Sequence, residues 1–175
     1  LTELSRYNVQ LYGRLEAETG QATGIKQNGT LSVARTKERM HETKRLATIA
    51  KSYDIEAHII GPKEANDLYP AMNQEIIEGA IYIPKDCQTN PVDTTMSLIA
   101  GAKQRGTKVF EDMPVTGLQS LASRNYRVKT PSGEIKCQTL ILCAGLWTRD
   151  LAAQLGIHVP LYPCEHMYVV TEPLD

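Results

Sequence analysis

The amino-acid sequence predicts an α/β fold with an additional antiparallel sheet. Helical periodicity, alternating half-buried segments and one short apolar run carry this prediction. The run Leu140–Cys143 is apolar throughout, as is typical of a strand covered on both faces. It leads into a predicted helix that begins near Trp147 and ends before Gly156. Three alternating segments precede the run and predict a meander: Val115–Leu121, Tyr126–Thr130 and Glu134–Gln138.

Helices and strands are also predicted in turn along the first half of the chain. Residues 1–20 have apolar side chains at helical spacing and end at Gly20. The Asn28-Gly29 pair is a hairpin signal next to a strand in which Leu31 and Val33 alternate with polar residues. Four further elements are expected: a helix capped by Thr36 that runs to about Tyr53, a strand Ile55–Ile60, a helical turn between Pro62 and Tyr69, and a strand Ile77–Ile83.

The clearest helix boundaries in the sequence surround the segment after Asn90. Asn90 is a predicted N-cap, Pro91 occupies the first helical position, and Asp93 places a carboxylate in the first turn. Gly106 is expected to end this helix. Two more strands are expected further along the chain, Lys108–Glu111 and the alternating segment Tyr162–Thr171.

Composition excludes several classes of partner. The 175 residues include 19 basic and 20 acidic side chains, so no strong field would attract nucleic acid or an anionic membrane. No apolar run approaches the roughly 18 residues that a membrane-spanning helix needs. The four cysteines lack a CxxC pair, which favours free thiols in a reducing compartment. Three histidines lie on separate predicted elements without ligand spacing, so no metal site is expected: His41, His58 and His158.

The motif that a dinucleotide-binding α/β protein needs is missing. No two glycines are separated by a single residue, so the chain has no GxGxxG loop. Leu1 is not an initiator methionine, and we interpret the chain as an internal segment of a longer protein. From its motifs alone, the sequence predicts an α/β protein with no assignable activity.

Five phrases, in the same order along the chain, resemble the sarcosine and dimethylglycine dehydrogenases. These phrases are LYGRLEAETG (11–20), NGTLSVART (28–36), GAIYIP (79–84), CAGLW (143–147) and EHMYVVTE (165–172). The resemblance covers essentially the whole chain and implies an FAD-dependent oxidoreductase with the fold of D-amino-acid oxidase. The related phosphatase regulatory subunit of the pyruvate dehydrogenase complex shares much of this pattern.

The resemblance implies that an FAD-binding half and a substrate-binding half are interleaved along the chain. It assigns 1–20 and 90–156 to the FAD-binding half, and 21–89 and 157–175 to the antiparallel-sheet substrate half. The flavin glycine loop and the histidine that many members link to the flavin would precede Leu1, and a tetrahydrofolate-binding region would follow Asp175. We therefore expect the 175-residue chain alone to bind FAD weakly or not at all, and to be inactive. Many members have Asp-Gly-Gln where this chain has Asp86-Cys87-Gln88, and cysteine lacks the freedom of glycine at positive φ.

Four candidate flavin contacts follow from the resemblance: Val115, Ala144, Gly145 and Trp147. The backbone at Val115 would meet the adenine, while the pattern alone favours a packed core valine. Small residues at Ala144 and Gly145 would let the cofactor approach the backbone, although Gly145 could equally be a simple turn. Trp147 is by pattern more often a core residue than a cofactor contact.

His166 is the candidate catalytic residue. In the predicted strand, alternation places it beside Tyr168 on one face, a polar pair able to orient an amine. From the pattern alone, a structural histidine is the more common outcome, whereas the resemblance implies an active-site histidine next to the substrate.

The activity implied is oxidative demethylation of sarcosine or dimethylglycine, with hydride transfer to FAD. Two alternatives remain open: a non-catalytic regulatory subunit of the same fold, and another FAD-dependent amino-acid oxidase. The expected partner is a small-molecule amine, with the electron acceptor unassigned and neither nucleic acid nor membrane involved. The expected location is cytoplasmic in a bacterium and the mitochondrial matrix in a eukaryote.

Overall fold

The computed structural model describes residues 2–170 and 172. It divides the chain into two compact units, Leu1–Val109 and Phe110–Asp175. All elements of the first unit follow in the order α1 Thr2–Thr19, β1 Thr30–Ala34, α2 Lys37–Ser52, β2 His58–Ile60, α3 Pro62–Leu68, a 3-10 turn Gln74–Ile76, β3 Gly79–Ile83 and α4 Pro91–Gln104. The predicted helices of this unit are confirmed, and its three strands are shorter than or close to the predicted ranges.

The three strands of the first unit form one antiparallel sheet with the order β1-β3-β2. On one face, Leu31 lies opposite Tyr82, and both Val33 and Ile60 lie opposite Ala80. Here α3 covers the sheet through Ala65, which is buried with Ala80. The small hydrophobic core of this unit therefore lies between β3 and α3.

The hairpin predicted at Asn28-Gly29 is wrong. β1 pairs with β3 rather than with a strand just before the turn. Instead, the Gly29 N–H donates to the Asp86 carbonyl at 3.0 Å, and Lys26 forms an antiparallel bridge with Gln88. The residues flanking the turn thus pair with a distant segment, because that segment satisfies their backbone groups.

Helix α1 packs against α4 through small and hydroxylated side chains. Thr19 Oγ1 and Ser97 Oγ are 2.8 Å apart, and the Gln104 side chain donates to the Thr19 carbonyl at 3.2 Å. Ser97 and Gly101 are buried on the α1-facing side of α4. At the other end of α4, Asn90 Oδ1 accepts from two N–H groups of the first turn, as its predicted cap role requires.

The second unit contains a three-stranded antiparallel meander and one short helix. Its elements are β4 Gly117–Leu121, a 3-10 turn Ala122–Arg124, β5 Asn125–Thr130, β6 Gly133–Cys137, a 3-10 turn Gly145–Trp147 and α5 Thr148–Ala153. The meander is confirmed, with the order β4-β5-β6. Just after α5, the Gln154 side chain accepts from the Leu118 N–H at 2.8 Å, which links the helix to β4.

The buried strand predicted at Leu140–Cys143 is wrong. The segment has neither helical nor strand structure, and Ile141 is 77% exposed. A strand covered on both faces needs hydrogen-bonded neighbours. None of the six described strands pairs with this segment. Its backbone therefore has no strand partner among the described residues, and its apolar side chains alone do not make it a strand.

Two further predicted strands are also absent from the described residues. Lys108–Glu111 forms no ladder, and the segment 162–170 is exposed and has no regular secondary structure, while Thr171 lies outside the described residues. Alternation along such a segment indicates which side chains would share a face if the segment formed a strand. It does not provide the neighbouring strand with which the backbone must form hydrogen bonds. Among the helices of the described chain, none is long and apolar enough to cross a membrane.

Candidate functional site

The predicted flavin contacts include a glycine turn at the start of α5. Gly145 has φ +56°, and a Cβ added there would meet no atom within 4 Å. The Trp147 N–H donates to the Ala144 carbonyl at 3.1 Å, which closes the 3-10 turn. Trp147 is 67% exposed, so the interpretation as a core tryptophan does not hold in this unit. Ala144, Gly145 and Trp147 thus lie together in one turn, with open space beside Gly145, and their role in binding FAD stays a prediction.

Val115 lies just before β4, in the same unit. Its side chain is 41% exposed, so it is not the packed core valine that the pattern alone favoured. The ladder begins two residues later, at Gly117, and the Thr116 N–H before it donates to the Lys129 carbonyl at 2.9 Å. The backbone at Val115 therefore lies at the edge of the meander, and its role in binding adenine stays a prediction.

His166 and Tyr168 lie in the exposed segment 162–170. Tyr168 is 87% exposed, and His166 is also exposed. Within residues 2–170 and 172, no hydrogen bond or ion pair joins either side chain to the turn at Gly145. The shared face that alternation predicts requires a paired strand, so their role as a substrate pair stays a prediction.

The chain's departure at Cys87 does not disturb the loop. Asp86-Cys87-Gln88 contains no positive φ angle, since the described non-glycine residues at positive φ lie elsewhere. A glycine is therefore not needed at position 87. Partial burial raises the pKa of the Cys87 thiol, and the nearby Asp86 carboxylate raises it further.

Two cavities of the first unit were not predicted from the sequence. One, of about 540 Å³, lies on the sheet face that carries Leu31 and Tyr82. The other, of about 530 Å³, lies beside α1 and is lined by charged groups that include Arg6, Glu56 and Lys85. Two of the phrases that carry the resemblance, 28–36 and 79–84, supply part of the lining of the first cavity. They were the one feature of the sequence that could have drawn attention to it.

In the charged cavity, Glu56 is the best-connected carboxylate. It contacts His58 Nε2 at 3.1 Å and Lys85 Nζ at 3.2 Å. The hydrogen bond from His58, followed by that from Lys85, lowers the pKa of the Glu56 carboxyl. Because all three side chains are exposed, this cluster is a surface ion network.

Known proteins similar to this chain include mitochondrial enzymes and a regulatory subunit. Human mitochondrial sarcosine dehydrogenase is 38% identical over 92% of this chain and 18% of its own length. Mitochondrial dimethylglycine dehydrogenase of Rattus norvegicus is 35% identical over 95% of this chain and 20% of its length. The mitochondrial pyruvate dehydrogenase phosphatase regulatory subunit of Mus musculus is 32% identical over 99% of this chain and 20% of its length. The chain thus spans about a fifth of the length of these relatives.

Comparison with solved structures agrees on the fold. L-proline dehydrogenase from P. horikoshii superposes with a TM-score of 0.77 at 25% sequence identity, over 87% of this chain and 40% of that protein. This match confirms the predicted fold class, and the relatives confirm the resemblance stated from the five phrases. The family model described as "FAD dependent oxidoreductase" (DAO) matches residues 1–175. The chain belongs to the DAO family of FAD-dependent oxidoreductases.

Proposed function

We propose that the protein containing this chain oxidises an N-methyl amino acid, sarcosine or dimethylglycine, and transfers a hydride to FAD. The observation that carries the proposal is family membership along the entire chain, with the sarcosine and dimethylglycine dehydrogenases among its relatives. Oxidation removes a methyl group by forming an iminium, which water hydrolyses to the demethylated amine and formaldehyde. The partner is accordingly a small-molecule amine.

The proposal assigns the chain to two interleaved halves. Residues 1–20 and 90–156 contribute to the FAD-binding half, and 21–89 and 157–175 to the substrate half. The packing of α1 on α4 supports placing 1–20 and 90–156 in one half. The antiparallel sheet of β1, β2 and β3 lies entirely within 21–89, which supports assigning that range to the antiparallel-sheet substrate half.

Four residues would hold FAD: Val115, Ala144, Gly145 and Trp147. The turn at Gly145 fits a flat cofactor, because no neighbouring atom lies where a side chain would stand and the adjacent indole is exposed. When bound, FAD supplies the hydride acceptor. The pyrophosphate-binding glycine loop is not among these 175 residues, so the proposal places it elsewhere in the protein.

His166 would bind and orient the substrate amine with Tyr168 beside it. An ammonium has no lone pair to assist loss of hydride, so the reactive substrate is the neutral amine. A neutral imidazole at His166 would accept the ammonium proton on a ring nitrogen and keep the amine deprotonated. The phenol of Tyr168 would donate or accept one hydrogen bond and fix the amine's orientation.

Further parts of the proposal concern the whole protein. A tetrahydrofolate-binding region would take up the released one-carbon unit, as implied by the sarcosine dehydrogenase resemblance. The protein would lie in the mitochondrial matrix in a eukaryote, in line with the mitochondrial relatives, and in the cytoplasm in a bacterium.

A second candidate is a regulatory subunit that keeps the fold without the chemistry. The observation that favours it is the similarity to the pyruvate dehydrogenase phosphatase regulatory subunit, which extends over 99% of this chain. The two candidates differ in a simple measurement on the full-length protein. An enzyme's flavin is bleached by sarcosine or dimethylglycine, whereas a regulatory subunit leaves any bound flavin oxidised.

The role of His166 is tested by stopped-flow flavin reduction in the full-length protein across pH. His166→Gln should slow reduction on the order of a hundredfold, the usual scale for a positioned acid–base group, with flavin content nearly unchanged. His158→Gln is the matched control, because His158 is also exposed and lies in the same unit. An unchanged rate and pH profile for His166→Gln would make His166 structural, and loss of flavin would place it on the flavin side.

A further inference from the structure

Among the described residues, those that line the cavity of about 540 Å³ on the β1–β3 sheet face include no charged side chain. We call it the sheet-face cavity. Its walls combine two phenols, a thioether, a carboxamide and aliphatic groups, chiefly Asn28, Leu31, Val33, Tyr69, Met72 and Tyr82. Its volume lies in the range of small-molecule pockets. Nothing in the proposed amine oxidation uses these residues.

One wall of the cavity is held in place by a glycine. Gly29 has φ +78°, and a Cβ there would lie 2.5 Å from Tyr82 Cε2, so the Tyr82 ring lies directly against the Gly29 backbone. The turn itself is fixed by the Gly29 N–H to Asp86 carbonyl bond and by the Gln27 side chain, which donates to the Lys85 carbonyl at 2.8 Å. The Tyr82 ring therefore has little freedom to fill the cavity.

A second part of the lining comes from the end of α3 and the chain after it. Tyr69 follows α3 directly, its N–H bonded to the Ala65 carbonyl at 3.0 Å, and its side chain is 56% exposed. The Met72 N–H donates to the Tyr69 carbonyl at 3.1 Å, which fixes the backbone between these two lining residues. The exposed aliphatic side chains of Val33 and Leu68 line the same cavity.

The chemistry of this lining selects its ligand. An amino acid would leave its carboxylate without a cationic partner, and a primary ammonium would lose strong hydration without an anionic one. A methylated ammonium is weakly hydrated, is attracted by the faces of tyrosine rings, and packs well against a thioether. We propose that the sheet-face cavity binds the methylated ammonium group of a small ligand that carries no carboxylate, through Tyr69 and Tyr82.

The test uses the full-length protein labelled with ¹³C at methionine methyl groups. Choline is the probe, and 3,3-dimethyl-1-butanol is its uncharged isostere. Choline should shift the Met72 signal saturably, and the alcohol should bind about threefold to tenfold more weakly, as the loss of a cation–π contact implies. Met96 on α4 does not line the cavity, so its signal should stay unchanged.

Two variants make the assignment specific. Tyr69→Leu should weaken choline binding by a similar factor, whereas Tyr7→Leu should not, because Tyr7 is comparably exposed but lies on α1 outside the cavity. Tyr69 is outside the sheet, so its replacement leaves the core contacts in place. Equal affinity for the alcohol, no saturable Met72 shift, or equal effects of the two variants would each overturn the proposal. Flavin reduction is measured in a separate experiment, so failure of the proposed amine oxidation would leave the result of the choline titration unchanged.

Discussion

Gly79 is the residue at which one added methyl group should most disturb the first unit. It begins β3, is buried, and has φ +150°, a backbone conformation that residues with a side chain rarely adopt. A Cβ at this position would lie 2.8 Å from the Ile60 carbonyl oxygen and 3.0 Å from Met40 Cε. The methionine can move aside, but the carbonyl belongs to β2 and is held by the sheet.

The magnitude follows from two separate contributions. Holding a non-glycine residue in a sparsely populated φ/ψ region costs about 1–3 kcal/mol. Forcing an extra carbon against a fixed backbone atom adds about 1–3 kcal/mol of overpacking. Gly79→Ala should therefore lower the free energy of unfolding by about 2–6 kcal/mol, a large part of the roughly 5–15 kcal/mol typical of a domain.

The assay is urea unfolding of the chain followed by far-ultraviolet circular dichroism, with Gly20→Ala as the matched control. Gly20 has φ +75° at the end of α1, and a Cβ there would meet nothing within 4 Å. Gly20→Ala should lower the free energy of unfolding only by the cost of placing a non-glycine residue at positive φ, about 1–2 kcal/mol. The two losses should differ because only Gly79 faces a fixed oxygen. Equal losses would refute the steric argument, as would full rescue of Gly79→Ala by Met40→Ala.

Three further outcomes are expected. Gly101→Ala should gain about 1 kcal/mol of helix propensity but meet Thr19 Cγ2 at 3.1 Å, so unfolding in urea should show stabilisation mainly in a Thr19→Ser background. Additive effects would contradict this. Asn90→Ala should cost about 1 kcal/mol by the same measurement, because its side chain caps two N–H groups at 2.9 and 3.2 Å; Asn90→Asp should retain most of the stability. In an NMR titration, His58→Ala should raise the pKa of Glu56, because the hydrogen bond from His58 is the main cause of its lowered value. The lowered pKa stabilises the folded state at pH values above the pKa of Glu56 in the unfolded chain. This stabilisation is lost as the pH falls through the pKa of Glu56 in the folded state.

The helices could be predicted because their signals are local. Asn90 and Pro91 fix the start of α4 within the sequence itself, and the structure places the cap and the first helical residue there. The Thr36 cap of α2 is confirmed for the same reason, since its hydroxyl accepts from the Arg39 N–H at 3.2 Å. Each of these contacts joins residues within one turn, so no knowledge of the rest of the fold is needed.

Strand pairing could not be predicted in the same way. The Asn28-Gly29 signal correctly marks a tight turn, since Gly29 does adopt positive φ. Yet the strand after it pairs with β3, about fifty residues later, because register depends on which distant segment offers matching backbone groups and a matching apolar face. The sheet-face cavity was missed for the same reason, since its walls at Leu31, Tyr69 and Tyr82 meet only through this long-range pairing.

The predicted catalytic geometry depends on long-range strand pairing in the same way. Leu140–Cys143 leads into the turn at Gly145, and the segment 162–170 carries His166; both have strand-like composition, and neither pairs with a strand among the described residues. A strand's alternation fixes which side chains share a face only once its backbone is paired. The residues proposed to contact FAD and the amine therefore acquire a common geometry only when those two segments find partners. Sequence phrases could nominate these residues as candidates, whereas the distance between Gly145 and His166 is a property of pairing that no local pattern encodes.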